Sequence, residues 1–307
     1  MSKRKSSSLL YQREGIVSNE SEKNGKLYVV GTPIGNLQDL TYRAKDVLKR
    51  VHTIAAENAG HVRKLLCALN VLQTRVWSYR EENRVKVTPQ LMDLLFEGKD
   101  VALVTDAGMP TIADPGAHLV DCALERRIPV VPIPGPSAVV TALSVSGFRA
   151  ETFVFLGFLS RSKSHLQEQL GEIARSSRTV VCFEAPHRLS QTLTAMANVI
   201  PERKVALCRE LTKFHEEIMR GTVQEMESFI RSRENVQGEM TLVIEGASLS
   251  AQDEEEKWER AKEWIDRAFQ KGEKTIRQIV EEAAILYGVP RSKVYRYSLA
   301  KKGEWEK

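Results

Sequence analysis

The chain has 307 residues, 42% hydrophobic, 28% charged and 7% aromatic, with 18 Gly and 11 Pro, a globular composition that excludes low-complexity and collagen-like chains. The length suits about two domains, each able to bury a core of its own. Forty-five Lys and Arg against forty Asp and Glu leave +5, a surplus too small to mark a nucleic-acid binder unless it is concentrated in one place.

Residues 1–25, rich in Ser, Lys and Glu, read as a flexible basic tail. Structure is expected to begin at the apolar run Leu27–Val30, which ends in Gly31, and strand-like and helix-like segments alternate from there. Thr88-Pro89 reads as a helix start closed by Gly98. Val101–Val104 is a strand candidate followed by a Gly/Pro/Asp loop. Asp114-Pro115 then reads as the next helix start, because Asp caps free amides and Pro tolerates the first helical position. Further strand candidates are Pro129–Ile133, Phe153–Leu156, Thr179–Phe183, Val205–Cys208 and Met240–Ile244. Short apolar strands alternating with helices predict an α/β fold with largely covered sheets. The turn-rich Pro134–Ser137 is the expected junction between two similar halves. After Gly246 a charged helix over 253–270 precedes Thr275–Tyr287, a Gly288-Val289-Pro290 turn and a last helix, a helix-turn-helix pattern. From Lys274 onward eight Lys and Arg face four Asp and Glu, so 8 − 4 = +4 of the basic excess lies there.

Cys67, Cys122, Cys182 and Cys208 are far apart with no CxxC, which argues against a disulfide framework or zinc ribbon. No apolar run reaches membrane-spanning length, and the basic start lacks a signal peptide's apolar stretch, so a soluble cytoplasmic protein is expected. The six His show no HExxH, and no metal site is expected. GxGxxG, GxxxxGK[ST] and GxSxG are all absent.

Three turn-forming loops follow strands: Gly31–Asn36, Asp106–Pro110 and Pro134–Ala138. In open α/β sheets ligands bind outside the carboxyl ends of strands, where glycines let the backbone approach them. Asp106 can accept from a ligand's ammonium or hydroxyl groups, or form a turn with its own loop. Arg188, Arg209 and Lys213 lie in two polar stretches beside later strands, where they could hold phosphates, and Glu or His there could accept a proton.

The ordered motifs LYVVGTPIGNLQDLTYRA, VTDAGMPTIADPG, IPGPSAVVTALSVSGF, FVFLGFL, FEAPHR, CRELTKFHEEIMRGT and GEMTLVIEGA resemble the bacterial 16S ribosomal RNA cytidine 2′-O-methyltransferase family, within the tetrapyrrole-methylase superfamily. The resemblance covers roughly residues 26–247. It implies two α/β domains (26–134 and 135–247) with S-adenosylmethionine in the cleft between them, plus a small helical extension over 248–307. It also implies 2′-O-methylation of a cytidine in the decoding region of the small subunit, with 16S rRNA or that subunit as partner, commonly by a homodimer. Carried over position by position, Pro33, Asp106, Met109, Ser137, Ala138, Glu184 and Met240 would meet the cofactor. Glu57, Glu210 and His215 are candidate proton acceptors, and Arg63, Lys64, Arg188, Arg209 and Lys213 candidate RNA contacts. One stretch departs from the family pattern: Asn58-Ala59-Gly60 stand where charged or hydroxylic groups are usual, and Asn58 cannot act as a carboxylate base. Two other readings stay open: a small-molecule methyltransferase of tetrapyrrole type, and a non-catalytic S-adenosylmethionine- or RNA-binding relative.

Overall fold

The computed structural model describes residues 24–71, 74–247, 251–272 and 274–305; the tail expected over 1–25 falls outside them except for its last two residues. Residues up to Glu245 form one compact unit and those from Gly246 a second.

The first unit holds two five-stranded sheets. Strands β1 (Leu27–Val30), β2 (Thr53–Ala56), β3 (Arg75–Ser78), β4 (Val101–Val104) and β5 (Val130–Ile133) pair in the order β3-β2-β4-β1-β5, every pairing parallel. Their period-two alternation feeds two cores. Tyr28, Val30, Ile54, Ala102 and Val104 pack with α1 (Tyr42–Arg50) and α2 (Ala59–Ala68) on one face. Leu27, Ala55, Val101 and Leu103 pack with α3 (Arg84–Phe96) and α4 (Ala117–Glu125) on the other. Because helices cover both faces, the inner strands β1 and β4 read as unbroken apolar runs.

Strands β6 (Phe153–Phe158), β7 (Thr179–Glu184), β8 (Lys204–Arg209), β9 (Glu217–Thr222) and β10 (Met240–Ile244) form the second sheet, in the order β6-β7-β10-β8-β9. Only β6 and β7 run parallel; β10 lies antiparallel between β7 and β8. Helices α6 (Lys163–Arg175), α7 (Pro186–Ala197) and α8 (Val223–Arg231) cover one face through Leu170, Leu193 and Ile230. Helix α5 (Ala138–Ser146) leaves the first sheet after β5 and packs on the second: Val139, Ala142 and Leu143 meet Val181, Ala206 and Val243, and Ile34 from the loop after β1 joins them. That shared core ties the two sheets together.

In the second unit, helices α9 (Ala251–Lys271), α10 (Ile276–Tyr287) and α11 (Arg291–Trp305) surround Ala261, Ile265, Ile279, Ala283 and Val294. Thr275 and Gln278 close a capping box at the start of α10, and Gly288 ends it at φ 65°. Among the described residues no helix is long and apolar enough to cross a membrane.

Two helix starts differ from the sequence reading. Helix α3 begins at Arg84, after a short turn over Glu81–Asn83, so Pro89 sits inside it. Pro89 therefore leaves the Val85 carbonyl without its helical donor, at an exposed residue where water can serve. Helix α4 begins at Ala117 behind Gly116, whose φ is 133°. Asp114 does not cap it, because its carboxyl bonds the Thr105 hydroxyl and lines a cavity. Three strands are absent from the strand candidates: the buried β2 and the polar edge strands β3 and β9.

Candidate active site

The three glycine- and proline-bearing loops converge. Thr32 and Gly108 exchange backbone hydrogen bonds, Thr32 N–H to the Gly108 carbonyl at 2.9 Å and Gly108 N–H to the Thr32 carbonyl at 3.1 Å. The buried Thr32 hydroxyl donates to the Thr105 carbonyl at 3.1 Å. The loops after β1 and β5 cross backbone to backbone: a Cβ on Gly31 would lie 2.7 Å from the Gly135 Cα, and a Cβ on Gly135 2.8 Å from the Gly31 Cα. Only glycine permits that approach. Thr111 and Ala113 hold left-handed backbone at φ 74° and 64°, a strain of the kind concentrated at functional sites.

These loops, with segments of the second sheet, enclose a cavity of about 410 Å³, within the range of small-ligand sites. Asp106, Met109, Ser137, Ala138, Glu184 and Met240 line it, and so does Glu57. Among the described residues every ionisable side chain on its wall is a carboxylate: Glu57, Asp106, Asp114, Glu184 and Glu239. Burial pushes the Asp114 carboxyl up to about 6; Glu57 and Asp106 add to the rise, and the Thr105 hydroxyl partly offsets it. The Asp106 N–H donates to Glu57 Oε2 at 3.3 Å, and His61 Nδ1 lies 3.5 Å from the Asp106 carboxylate. Glu184 is enclosed, and its oxygens accept from the Ala185 N–H at 2.8 Å and the Thr192 hydroxyl at 2.6 Å. Ile112, Phe158, Phe183 and Met240 make part of the wall apolar, the two rings meeting edge-to-face at 5.5 Å.

Pro33 lines not this cavity but a second hollow of about 400 Å³, which shares Ile34, Asp106, Ala107 and Glu239 with it. Lys64 and Lys213 face the second hollow as well. Arg63 is exposed, 3.5 Å from the Val76 carbonyl. Arg188 donates to the Leu159 and Ser160 carbonyls at 3.1 and 2.8 Å, holding the chain as it leaves β6. Arg209 donates to the Gln237 carbonyl at 2.8 Å and pairs with Glu217 at 3.4 Å. Glu210 and His215 line neither hollow. Burial works against ionisation of Glu210, yet Lys213 at 2.8 Å and the Glu239 N–H hold its carboxyl below the usual range. His215 is exposed to solvent. Asn58 caps α2, its Oδ1 accepting from the Gly60 and His61 amides at 3.0 and 3.3 Å.

Sequence reasoning missed Asp114, Glu239 and the Phe158–Phe183 pair. Asp114 lies in the same motif as Asp106 but reads locally as a helix cap; the other three gave no local signal, because their neighbours come from other segments.

Residues 26–227 match the Tetrapyrrole (Corrin/Porphyrin) Methylases. Ribosomal RNA small subunit methyltransferase I of Bacillus subtilis (strain 168) is 41% identical over 286 residues, covering 92% of this chain and 97% of that protein. Its namesake from Thermotoga maritima is 42% identical over 222 residues, 72% of this chain and 99% of that protein. Among solved structures, a cobalt precorrin-4 methyltransferase of cobalamin biosynthesis superposes with a TM-score of 0.56 at 18% identity, over 75% of this chain and 98% of that one. The chain thus belongs to the tetrapyrrole methylase family, among the proteins named ribosomal RNA small subunit methyltransferase I.

Proposed function

We propose that this chain moves a methyl group from S-adenosylmethionine to the ribose 2′-oxygen of a cytidine in 16S rRNA, in the decoding region, acting in the cytoplasm as a homodimer whose cofactor lies between residues 26–134 and 135–247. The coarser activity, S-adenosylmethionine-dependent methylation of small-subunit rRNA, follows from the family and from relatives named for it. The base, the oxygen, the compartment and the dimer rest on the resemblance of the ordered motifs.

The observation that carries the reading is the charge of the first cavity. S-adenosylmethionine bears a sulfonium and an ammonium against one carboxylate. Arg188 lies 3.5 Å from Glu184 and Lys213 3.2 Å from Glu239, but Glu57, Asp106 and Asp114 have no Lys or Arg partner among the described residues. A wall whose ionisable groups are all carboxylates suits that net positive charge. Its apolar part, with Phe158, Phe183 and Met240, suits the faces of an adenine. Gly108, at φ 79°, lets the loop after β4 turn back against the site. The residues present fit the cofactor. Asp106 and Met109 would meet its methionine and ribose portions, Ser137 and Ala138 would approach from the start of α5, and Met240 and Glu184 would wall the adenosine side.

When bound, the cofactor supplies a methyl group on a positively charged sulfur, ready for in-line displacement. The chain's part is to orient, to exclude water and to accept a proton. Holding the reactants in near-attack geometry contributes roughly 7–11 kcal/mol. Glu57 is our proposed acceptor for the 2′-hydroxyl proton, since it alone of the three candidates reaches the cavity; such a base contributes about 10²–10⁴-fold. Of the five cations, Lys64 and Lys213 are our proposed RNA contacts, with exposed Arg63 on the same helix as Lys64. Arg188 and Arg209 line neither hollow and are engaged with backbone carbonyls and with Glu184 and Glu217.

Neither rival reading gains an observation. The fold relatives named for corrin and porphyrin substrates share the architecture alone, and the Asn58 departure has a structural reason in the cap of α2. The test is mass spectrometry of 16S rRNA from cells with and without the gene, with labelled-methyl transfer to small subunits in vitro. Loss of one ribose methyl on a cytidine, restored by the protein, is expected; an unchanged rRNA with methyl transfer to a porphyrinoid contradicts the reading.

A further inference from the structure

The two adjoining hollows differ in charge. The ionisable groups of the first are carboxylates alone among the described residues, whereas the second adds His61 beside Asp106, Lys213 beside Glu239, and Lys64. His61, Lys64, Leu65 and Ala68 fall on one face of α2, at i, i+3, i+4 and i+7, so a single helix presents the imidazole and the ammonium to the second hollow side by side. Among the described residues Lys64 has no ion-pair partner, while Lys213 is fixed between Glu210 at 2.8 Å and Glu239 at 3.2 Å.

Next to Lys213 stands Phe214, 97% exposed, its ring 5.0 Å from that of His215 and nearly perpendicular to it. The loop that carries it is braced. Glu210 and Thr212 hold left-handed backbone at φ 51° and 67°. Glu216 accepts from the Thr212 N–H at 2.6 Å, and the Glu216 N–H donates to the Lys213 carbonyl at 3.1 Å. The loop also presses on Gly35, where an added Cβ would lie 2.8 Å from the Thr212 hydroxyl. A braced loop thus holds an aromatic face in solvent one residue beyond Lys213, which lines the cation-bearing hollow that shares wall residues with the acid-walled cavity. Aromatic faces next to cations are how proteins grip unpaired nucleic acid: bases stack and phosphates meet positive charge.

We propose that the second hollow and Phe214 form the seat for unpaired RNA, with Lys64 and His61 meeting the backbone phosphate of the nucleotide to be methylated and Phe214 stacking a flanking base. This rests on the functional reading above and deepens it. The ribose is thereby presented across the shared Asp106 and Glu239 wall.

The test uses full-length protein with Phe214→Ala, Phe214→Trp and Lys64→Ala. Three quantities are read: affinity for an unmodified single-stranded RNA carrying the target sequence at several salt concentrations, KM and kcat on small subunits, and calorimetric binding of S-adenosylmethionine. Phe214→Ala is expected to weaken RNA binding and raise KM by about tenfold or more, with Phe214→Trp restoring both. Lys64→Ala is expected to flatten the salt dependence by about 0.7 in the log–log slope. Cofactor binding stays unchanged in all three. RNA affinity unaltered by Phe214→Ala overturns the proposal. So does a loss of RNA affinity that accompanies dissociation of a dimer in sedimentation, which would place Phe214 between two copies of the chain. Failure of the wild type to methylate small subunits refutes the functional reading instead, and the oligonucleotide affinities stand apart from it.

Discussion

Asp114 shows how one side chain can belong to a cap by its neighbours in sequence and to a cavity by its neighbours in space. Its carboxyl titrates near 6, against 3.8 for an ordinary aspartate. A group whose folded pKa is raised contributes stability fully below its unfolded pKa and loses it as pH rises through the folded one. The cost of ionising Asp114 therefore appears between about pH 4 and 6 and persists above. Asp114→Asn should melt higher than the wild type at pH 7.5, by an amount worth about 1 kcal/mol once solvent screening is allowed for, and the gap should close at pH 4. A difference in melting temperature that ignores pH would mean that burial, with Glu57 and Asp106 beside it, does not raise the Asp114 carboxyl. Gly135 makes a steric argument at the same scale. Gly135→Ala places a methyl carbon 2.8–2.9 Å from Gly31 backbone atoms, and no flexible side-chain end is there to give way. Destabilisation of about 1–3 kcal/mol and loss of cofactor binding are expected in denaturation and calorimetry.

At the level of elements, burial helped but did not decide legibility: β2, buried throughout, was not among the strand candidates, whereas the edge strand β6 was. Strands β1 and β4, covered on both faces, stood out as apolar runs, and β10, central in the second sheet, was bounded correctly at Met240 and Ile244. The edges β3 and β9 carry Arg75, Glu217 and Arg220 and depend on their partners rather than on local pattern. The loops after β1, β4 and β5 were visible because glycine and proline at strand ends announce a turn whatever surrounds it. The set of carboxylates was visible only in part: Glu57, Asp106 and Glu184 were among the candidates, whereas Asp114 reads locally as a cap and Glu239 gives no local signal, and the five come together from four separate segments. Helix starts were less legible, since neither Thr88 nor Asp114 opens a helix; at the start of α8, Thr222 and Glu225 exchange bonds of 2.8 and 3.1 Å. Thr222→Ala should cost about 1 kcal/mol in urea denaturation, and a loss below a few tenths would show that packing of Met226 and Ile230 alone holds the helix.

For the whole molecule, the division into two units sets what depends on what. Every residue lining either hollow lies at or before Thr241, inside the unit that ends at Glu245. The helical unit has its own core around Ile265, Ile279 and Val294. A chain ended at Glu245 should keep the wild-type affinity for S-adenosylmethionine in calorimetry; loss of that affinity in a folded truncation would give the helical unit a part in the cofactor site.

Calorimetry of S-adenosylmethionine with the wild type and Asp106→Ala tests most directly whether the acid-walled cavity seats a cationic methyl donor. Wild-type binding at one site per chain, weakened about tenfold or more by Asp106→Ala with the melting profile retained, is the expected result. Equal affinity in the two proteins would contradict it.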